Sequence, residues 1–250
     1  MFCNSIRVAT SCTVARVHLW MTARSGGGLI PVGSRSGAHA VKSLFMAEHY
    51  FSSHDEDGLT PRPLTVELEG SERHLVTASG VFSPKGLDKG TAVLLREAPE
   101  PRGNSLLDIG CGWGPITLTL ALRRPGAQVL GVDVNQRSIE LTRRNAASMG
   151  LDTISTALPD DVDPGLTFDT IWSNPPIRVG KDVLHDILMT WLPRLSVGGS
   201  AYLVVQKNLG ADSLIPWLAQ NLGAEFAVHR YATSKGFRVI EVRRGPAQEV

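Results

Sequence analysis

The sequence is poor in cysteine, in aromatic residues and in long apolar runs. Its 250 residues include three cysteines, an odd number with no paired spacing, and only 6% of the residues are aromatic. This cysteine usage argues against a disulfide framework and a zinc site, so we predict no metal and a reducing, cytoplasmic location. No apolar run approaches the roughly 20 residues that a membrane span requires, and we therefore predict no membrane association.

Acidic residues are missing from the first part of the chain. Residues 1–47 contain five basic residues, no acidic ones, and glycine- and serine-rich stretches without an amphipathic period. That is linker composition, so we predict a disordered leader over residues 1–45. It is compatible with a targeting peptide, a flexible basic tail, or translation begun upstream of the true start. The remainder holds 20 basic against 24 acidic residues, which gives no global basic footprint for nucleic acid.

The most informative stretch is a short apolar run that ends in a carboxylate and three alternating glycines. Residues 106–114 read Leu-Leu-Asp-Ile-Gly-Cys-Gly-Trp-Gly, and residues 115–122 resume a pattern typical of a helix packed on a sheet. A strand, a glycine turn and a helix N-terminus let backbone approach a ligand without interference from Cβ atoms. A turn that holds pyrophosphate has little use for Asp108, whereas a ligand with a cationic or hydroxyl-bearing end does. The alternative is a generic glycine turn.

A second apolar strand begins at Gln128 and ends in Asp133. One strand–helix–strand unit separates Asp133 from Asp108, which predicts two adjacent parallel strands with both acids at one carboxyl edge. The two oxygens of Asp133 match the spacing of a vicinal diol such as that of ribose. Alternatively, Asp133 or Asn135 caps the helix over residues 136–149.

The fourth strand, residues 168–173, runs directly into Asn174-Pro175-Pro176-Ile177. This tetrapeptide resembles the Asn-Pro-Pro-aromatic/apolar signature of enzymes that methylate an exocyclic or amide nitrogen, which implies an NH₂ group as the target. An NH₂ group conjugated to a ring is a poor nucleophile because its lone pair is delocalised. The Asn174 side-chain oxygen and the Pro175 carbonyl can accept both amine hydrogens, and the two prolines fix φ and leave carbonyl acceptors in the pocket. Ile177 would pack on the face of a flipped base. The alternative is an ordinary Pro-Pro turn after a strand.

These motifs resemble those of the class I S-adenosylmethionine-dependent methyltransferases, in which the first strand is followed by acid-x-Gly-x-Gly-x-Gly. Residues 80–91, Gly-Val-Phe-Ser-Pro-Lys-Gly-Leu-Asp-Lys-Gly-Thr, further resemble a segment of the "small" methyltransferase domain family, which includes ribosomal RNA guanine-N2 methyltransferases. The resemblance spans about residues 60–243. It implies an α/β domain over residues 46–250, with a β-hairpin at about 60–80 and a core at about 85–243. That core is a doubly wound, Rossmann-like, seven-stranded sheet whose last strand is antiparallel.

The resemblance also implies S-adenosylmethionine as cofactor and assigns residues to it. Phe82 would wall the cofactor unless it is a buried hairpin anchor, and Asp160 would accept the adenine amino group unless it belongs to a plain acidic loop. The predicted cofactor-binding residues are Phe82, Asp88, Asp108, Gly110, Gly112, Gly114, Asp133, Val134, Asp160 and Asn174. The predicted catalytic residues are Asn174, Pro175, Pro176 and Ile177.

We therefore expect transfer of a methyl group to an exocyclic base nitrogen in RNA, with guanine N2 of small-subunit ribosomal RNA as the nearest family precedent. The expected partner is RNA or a ribosomal particle, and Arg178 and Lys181 either hold flanking phosphates or are solvated loop charges. The larger ribosomal enzymes carry a second, degenerate domain for which we see no room, so RNA selection would be local or assisted by a partner. Asn-Pro-Pro chemistry also suits protein glutamine N5 or adenine N6, and a cofactor-binding module without catalysis is the non-enzymatic alternative.

Three local predictions concern the connections between elements. Residues 195–200 are predicted to form a turn before the fifth strand, and residues 231–237 a loop that joins the final antiparallel pair of strands beside the substrate mouth. Asn145 is predicted to share a solvated helix face with Arg137, Arg143 and Arg144.

Overall fold

The computed structural model describes residues 60–246. The predicted disordered leader, residues 1–45, lies outside them. The strands of the described part are β1 Arg62–Leu68, β2 Ser71–Thr77, β3 Ser105–Ile109, β4 Gln128–Val132, β5 Ile154–Ala157, β6 Phe168–Ser173, β7 Leu195–Gln206, β8 Phe226–Ser234 and β9 Phe237–Arg244. The helices are α1 Lys89–Glu97, α2 Pro115–Arg123, α3 Gln136–Ser148, α4 Lys181–Trp191 and α5 Ala211–Asn221. Within residues 60–246, no helix combines the length and apolar character needed to cross a membrane.

Seven strands form one sheet in the order β5-β4-β3-β6-β7-β9-β8. Strands β3 to β7 run parallel, and β9 is antiparallel to both of its neighbours. The predicted doubly wound sheet with an antiparallel final strand is therefore confirmed. The chain reverses direction of winding at β3, and the carboxyl ends of β3, β4, β6 and β7 meet at one edge, where ligands of such sheets bind.

The predicted β-hairpin is confirmed as β1 and β2, a separate two-stranded antiparallel sheet. Its apolar residues alternate, so that Leu64, Leu68 and Leu75 are buried while the opposite face is exposed. Glu69 and Gly70 both have positive φ, 51° and 68°, as a two-residue type I′ hairpin turn requires.

The core lies on both faces of the large sheet. Leu106 belongs to a cluster shared with the hairpin and helices α1 to α3, and Leu107 belongs to a cluster shared with α4 and α5. Neighbouring residues of a strand point to opposite faces, so a strand covered on both sides must be apolar throughout. The unbroken apolar run of β3 follows from this double burial.

Two predicted connections are wrong. The predicted turn at residues 195–200 lies inside β7, where the register with β6 shifts so that Phe168 pairs with Leu195 and Thr170 with Ser200. Two glycines permit this irregularity, because Gly198 has a φ of 85° and a Cβ on Gly199 would lie 2.9–3.0 Å from backbone oxygens. The predicted loop at residues 231–237 is instead strand on both sides of a two-residue turn.

That second turn is Lys235-Gly236, with φ values of 47° and 82°. Lysine rarely adopts a left-handed conformation, so the sequence does not predict a tight hairpin turn here. The Lys207 amide donates to the Gly236 carbonyl at 2.9 Å, so the turn is attached to the end of β7.

Candidate active site

A pocket opens where β3 and β6 end, between the glycine turn and the segment that leads into α1. It brings together residues that lie far apart in the sequence. Its lining consists of Phe82, Ser83, Asp88, Thr91, Gly110, Cys111, Gly112, Trp113, Pro115, Ile116 and Asn174. The predicted cofactor segment, glycine turn and Asn-Pro-Pro motif therefore converge on one site.

The three glycines of the turn serve two different purposes. Gly110 and Gly112 have φ values of 81° and 58°, and a Cβ on either would meet nothing within 4 Å. Their missing side chains leave open space beside the backbone, in which a ligand can approach. Gly114, with a φ of 103°, precedes α2, and a Cβ there would lie 3.2 Å from Thr142 Oγ1. The missing side chain of this third glycine therefore permits close packing of α2 against α3, and Gly114 does not line the pocket, so its predicted contact with the cofactor remains a prediction.

Asp133, which follows β4, stabilises the glycine turn by hydrogen bonding. Its Oδ2 accepts a hydrogen bond from the Gly112 amide at 3.0 Å, and its Oδ1 accepts from the Asn135 amide at 2.9 Å. Burial raises the pKa of the Asp133 carboxyl, although hydrogen bonds from backbone amides oppose that shift. The cap of α3 is Asn135, whose side chain accepts from the Arg137 amide at 3.0 Å. Asp133 is therefore not the helix cap, and its carboxylate lies beside the glycine turn.

Asp108 lies behind the turn instead of lining the pocket. It is fully buried, its Oδ2 accepts from the Thr117 hydroxyl at 2.6 Å, and its Oδ1 has no hydrogen-bond partner. Burial raises the pKa of the Asp108 carboxyl to about 7, against the opposing effect of the Thr117 hydrogen bonds. The unpartnered oxygen is a buried acceptor next to the turn, and such atoms are rare unless a ligand or a function requires them.

Asn174 is held by the opposite wall of the pocket. Its Nδ2 donates to Asp88 Oδ2 and to Thr91 Oγ1, each at 3.0 Å. Asp88 also caps α1, because the same Oδ2 accepts from the Gly90 amide at 2.7 Å and the Thr91 amide at 3.3 Å. A carboxylate only accepts hydrogen bonds, so the amide nitrogen of Asn174 must face it. The Asn174 oxygen then points away from Asp88 and has no partner among residues 60–246.

The remaining residues of the Asn-Pro-Pro motif have different surroundings. Pro175 is buried, and Pro176 precedes a short 3₁₀ turn, Ile177–Val179. Ile177 packs against the core cluster on the side of α4 and α5 and does not line the pocket. Phe82 is 58% exposed at the pocket mouth, so it is no buried hairpin anchor.

Four further predicted residues also lie outside the pocket lining. Val134 is half exposed beyond the end of β4, and Asp160 is exposed in a 3₁₀ turn after β5. Arg178 and Lys181 are exposed between the Asn-Pro-Pro motif and α4. Their predicted contacts remain predictions, because each lies at the carboxyl edge but outside the pocket.

Asn145 was predicted on a solvated helix face, and that prediction is wrong. It is fully buried, and its Nδ2 donates to the carbonyls of Val76 and Trp113 at 2.9 and 2.8 Å. Its Oδ1 accepts from the Val76 amide at 2.8 Å, so Asn145 links the hairpin to the glycine turn. The signal in the sequence was helical spacing, since Asn145 falls four residues after Leu141 on the buried stripe of α3.

These residues fit a ligand that carries hydroxyl and cationic groups. The Gly110–Gly112 backbone offers open space, and Asp133, Asp88 and the Asn174 oxygen offer acceptors. Nearby, Asp108 provides a buried oxygen without a partner. Within residues 60–246 no group of three His, Cys, Asp or Glu side chains is placed to hold a metal ion. An alkyl sulfonium with a ribose and an amino acid tail matches this set of groups.

The fold and the pocket define an S-adenosylmethionine-dependent methyltransferase of class I. The model of the family described as methyltransferase small domain matches residues 72–241. The chain belongs to this family, and S-adenosylmethionine is its cofactor. The uncharacterized protein YbxB of Bacillus subtilis (strain 168) is 34% identical over 204 residues, which cover 80% of this chain and 100% of YbxB.

Other relatives are named ribosomal RNA small subunit methyltransferase C. The one from Hahella chejuensis is 38% identical over 155 residues, which cover 60% of this chain and 44% of the relative. A solved structure is the 16S rRNA N2 G1207 methyltransferase RsmC of T. Thermophilus in complex with AdoMet and guanosine, with 27% identity and a TM-score of 0.62. The match covers 75% of this chain and 51% of RsmC, so the chain spans about half the length of these rRNA methyltransferases.

Proposed function

We propose that this protein methylates an exocyclic base nitrogen in RNA, and that its target is guanine N2 in small-subunit ribosomal RNA. The proposal covers the RNA substrate, the ribosomal particle as partner and a cytoplasmic location. It draws on two relatives, one named for methylation of the small ribosomal subunit and one a structure that holds guanosine beside AdoMet.

One observation carries the choice of a nitrogen target. Asn174 lines the pocket, and its amide nitrogen donates to Asp88 and Thr91, each at 3.0 Å, so the orientation of the amide is set and its oxygen has no partner among residues 60–246. An oxygen acceptor suits a substrate N–H, whereas an amide nitrogen in that place would suit a carbonyl. Hydrogen bonds from neighbouring side chains, such as these two, keep a catalytic group within the small positional error that methyl transfer tolerates.

The proposed roles follow from these positions. The Asn174 oxygen and the Pro175 carbonyl accept the two hydrogens of the target amine and direct its lone pair. Asp133 and the Gly110–Gly112 backbone hold the cofactor, which supplies an electrophilic methyl group on sulfur. A general base is not required in the transfer itself, because the amine proton can leave after the nitrogen has become positively charged. Alignment and exclusion of water then account for most of the acceleration.

The test is methyl incorporation from labelled S-adenosylmethionine by the full chain into separate pools of ribosomal RNA, protein and free nucleosides. Mass-spectrometric analysis of the RNA nucleosides, from cells with and without the gene, identifies the methylated atom. We expect label in RNA as N2-methylguanosine. Label confined to protein, or an RNA product methylated at adenine N6, would contradict the proposal. Asn174→Ala is the matched control, because it removes the acceptor and should remove the label from the RNA pool.

A further inference from the structure

The lysines of the described residues share one location, whereas the arginines are distributed more widely and one of them, Arg178, lies with the lysines at the carboxyl edge. The five lysines of the described residues are Lys85, Lys89, Lys181, Lys207 and Lys235, and all five are exposed. None of them is in an ion pair within residues 60–246, although Lys207 helps to lower the pKa of Asp212, an effect that comes chiefly from Arg238. By contrast, Arg123, Arg194 and Arg244 donate to backbone carbonyls and serve the fold.

All five lysines lie at the edge of the sheet that carries the pocket. Lys85 and Lys89 belong to the segment whose Ser83, Asp88 and Thr91 line it. The other three follow the carboxyl ends of strands: Lys181 begins α4 after β6, Lys207 follows β7, and Lys235 is in the β8–β9 turn. Because the Lys207 amide donates to the Gly236 carbonyl, the last two belong to one continuous surface.

The charge along this edge changes sign on either side of the pocket. Beyond β4 and β5 the edge carries Asp133, Asp160 and Asp161, and the arginine beside them, Arg137, donates to the Ser79 carbonyl at 2.9 Å. Towards β7, β9 and β8 it carries Lys207 and Lys235. The acids beside them are paired with arginines: Asp212 with Arg238 at 3.0 Å, and Glu97, which lies against Ser234, with Arg96 at 2.8 Å. A polyanion is therefore repelled on the β4–β5 side and attracted on the β7–β9 side.

We infer that these five lysines form a rim that binds the phosphates of RNA on both sides of the target nucleotide. The inference rests on the proposed function and names how its substrate is held. Ser173 at the end of β6 pairs with Leu203, so β7 extends three residues, about 10 Å, beyond β6. Because neighbouring strands lie about 4.8 Å apart, the end of β7 and the start of β9 are about 11–14 Å from the end of β6, which Asn174 follows. Phosphates of adjacent nucleotides fall within that reach. Lysine is a mobile point charge, so the rim holds the backbone without reading its sequence.

The test is the salt dependence of RNA binding by the full chain with Lys207→Gln and Lys235→Gln combined. The probe is a fluorescein-labelled, mixed-sequence, single-stranded RNA oligonucleotide in the presence of S-adenosylhomocysteine. Each lost phosphate contact lowers the slope of log K against log salt by about 0.7 for a single strand, so the double variant should lose about 1.4. Its affinity should fall roughly tenfold at low salt.

The matched control combines Arg102→Gln and Arg144→Gln, which remove the same charge from exposed positions. Arg102 precedes β3 at the opposite edge of the sheet, and Arg144 lies two turns into α3. We expect wild-type slope and affinity for this control. In methyl transfer, the lysine variant should raise the KM for RNA and leave kcat nearly unchanged, because neither lysine touches the reacting base.

The proposal of a lysine rim would be contradicted if the lysine and arginine variants lost RNA affinity equally. It would also be contradicted if the lysine variant kept the wild-type slope of log K against log salt. The two proposals fail separately. If the wild-type chain methylates RNA and the lysine variant keeps its slope, the rim is wrong and the activity stands. If RNA binding depends on the lysines but no methyl group enters RNA, the proposed activity is wrong and the rim stands.

Discussion

A single oxygen, Asp88 Oδ2, accepts hydrogen bonds from three groups: the amides of Gly90 and Thr91 and the side chain of Asn174. The first two begin α1, and the third belongs to the end of β6. Helix capping and orientation of the proposed catalytic amide therefore depend on the same carboxylate. Since a charged acceptor makes hydrogen bonds roughly twice as strong as a neutral one, the negative charge of Asp88 favours a fixed Asn174.

Asn174→Ala should slow methyl transfer much more than it weakens cofactor binding. The substitution removes one acceptor from an amine that must be oriented at the transition state, and such a group is typically worth ~10²–10³ in rate. The measurement is single-turnover transfer beside calorimetric titration of the cofactor. Asn174→Asp keeps an oxygen but places a second carboxylate against Asp88, so it should transfer the methyl group no faster than Asn174→Ala. If cofactor affinity falls in proportion to rate, Asn174 is only part of the pocket wall.

Asp88→Asn should reduce the transfer rate while the protein stays folded. Asparagine caps a helix as well as aspartate does, so the melting temperature should change little. The charge-assisted hydrogen bond to Asn174 becomes a neutral one, and we expect a loss of roughly tenfold in single-turnover rate, in keeping with about 1–1.5 kcal/mol for one such bond. Asp88→Ala serves as the comparison, because it removes the cap as well and should lower both stability and rate. A rate loss in Asp88→Asn that tracks a loss of stability would leave only the capping role.

At the scale of elements, the hairpin is attached to the methyltransferase sheet through polar groups as well as apolar ones. Asn145 of α3 makes three hydrogen bonds, two with the backbone of Val76 in β2 and one with the Trp113 carbonyl in the glycine turn. The Trp113 indole in turn donates to the Ser83 carbonyl at 3.2 Å. The hairpin, the turn and the pocket segment are thus connected through one buried asparagine.

Asn145→Leu should destabilise the protein by about 2–4 kcal/mol. The substitution is close in volume, but it leaves the Val76 amide and two carbonyls unpaired in a buried place, and each such group costs about 1–3 kcal/mol, partly recovered by local opening. Urea denaturation measures the loss. Asn104→Leu, at an exposed position before β3, is the control and should change stability by less than about 0.5 kcal/mol. An equal effect of both substitutions would contradict the role of Asn145.

Local patterns in the sequence predict the elements of this fold better than the contacts between them. The strand–turn–helix of residues 105–123 is specified by its own apolar run and glycines, and the structure agrees. The contact between Asp88 and Asn174 joins residues 86 positions apart, and the contact between Asn145 and Val76 joins residues 69 positions apart. No periodicity encodes such pairs, because they depend on how α1, α3 and the hairpin pack on the sheet. The sequence predicted both Asn174 and Asp88 as site residues, but not that Asp88 orients Asn174.

At the scale of the whole molecule, buried carboxylates make stability depend on pH. Burial raises the pKa of Asp108 to about 7 and also raises that of Asp133. The pKa values of Asp169 and Asp212 are lowered, by hydrogen bonds from Ser196 and backbone amides in the first case, despite desolvation, and chiefly by Arg238 in the second. These two groups titrate below their ordinary value of 3.8, so they stay ionised between pH 5 and 8. Asp108 and Asp133 therefore dominate the carboxyl contribution in that window.

The free energy of unfolding should fall as the pH rises from 5 to 8. Because the folded-state pKa of Asp108, about 7, lies above the unfolded value of 3.8, the folded protein binds more protons between these values. The stabilisation is fully present below the unfolded pKa and is lost as the pH rises through the folded pKa. The two values differ by about three pH units, which sets an upper bound of about 4 kcal/mol, and we expect about 1–3 kcal/mol between pH 5 and 8.

Urea denaturation of the wild type and of Asp108→Asn at both pH values measures this difference. Asparagine keeps an oxygen for the Thr117 hydroxyl and has no charge to bury, so the variant should be the less pH-dependent of the two and relatively more stable at pH 8. The pH dependence of the free energy of unfolding that remains in Asp108→Asn should reflect Asp133, whose pKa is also raised. Groups elsewhere titrate equally in both proteins, and they cancel when the two slopes are subtracted. A wild type and variant with identical slopes would mean that Asp108 is ionised in the folded protein at pH 5, with its charge stabilised by the glycine turn.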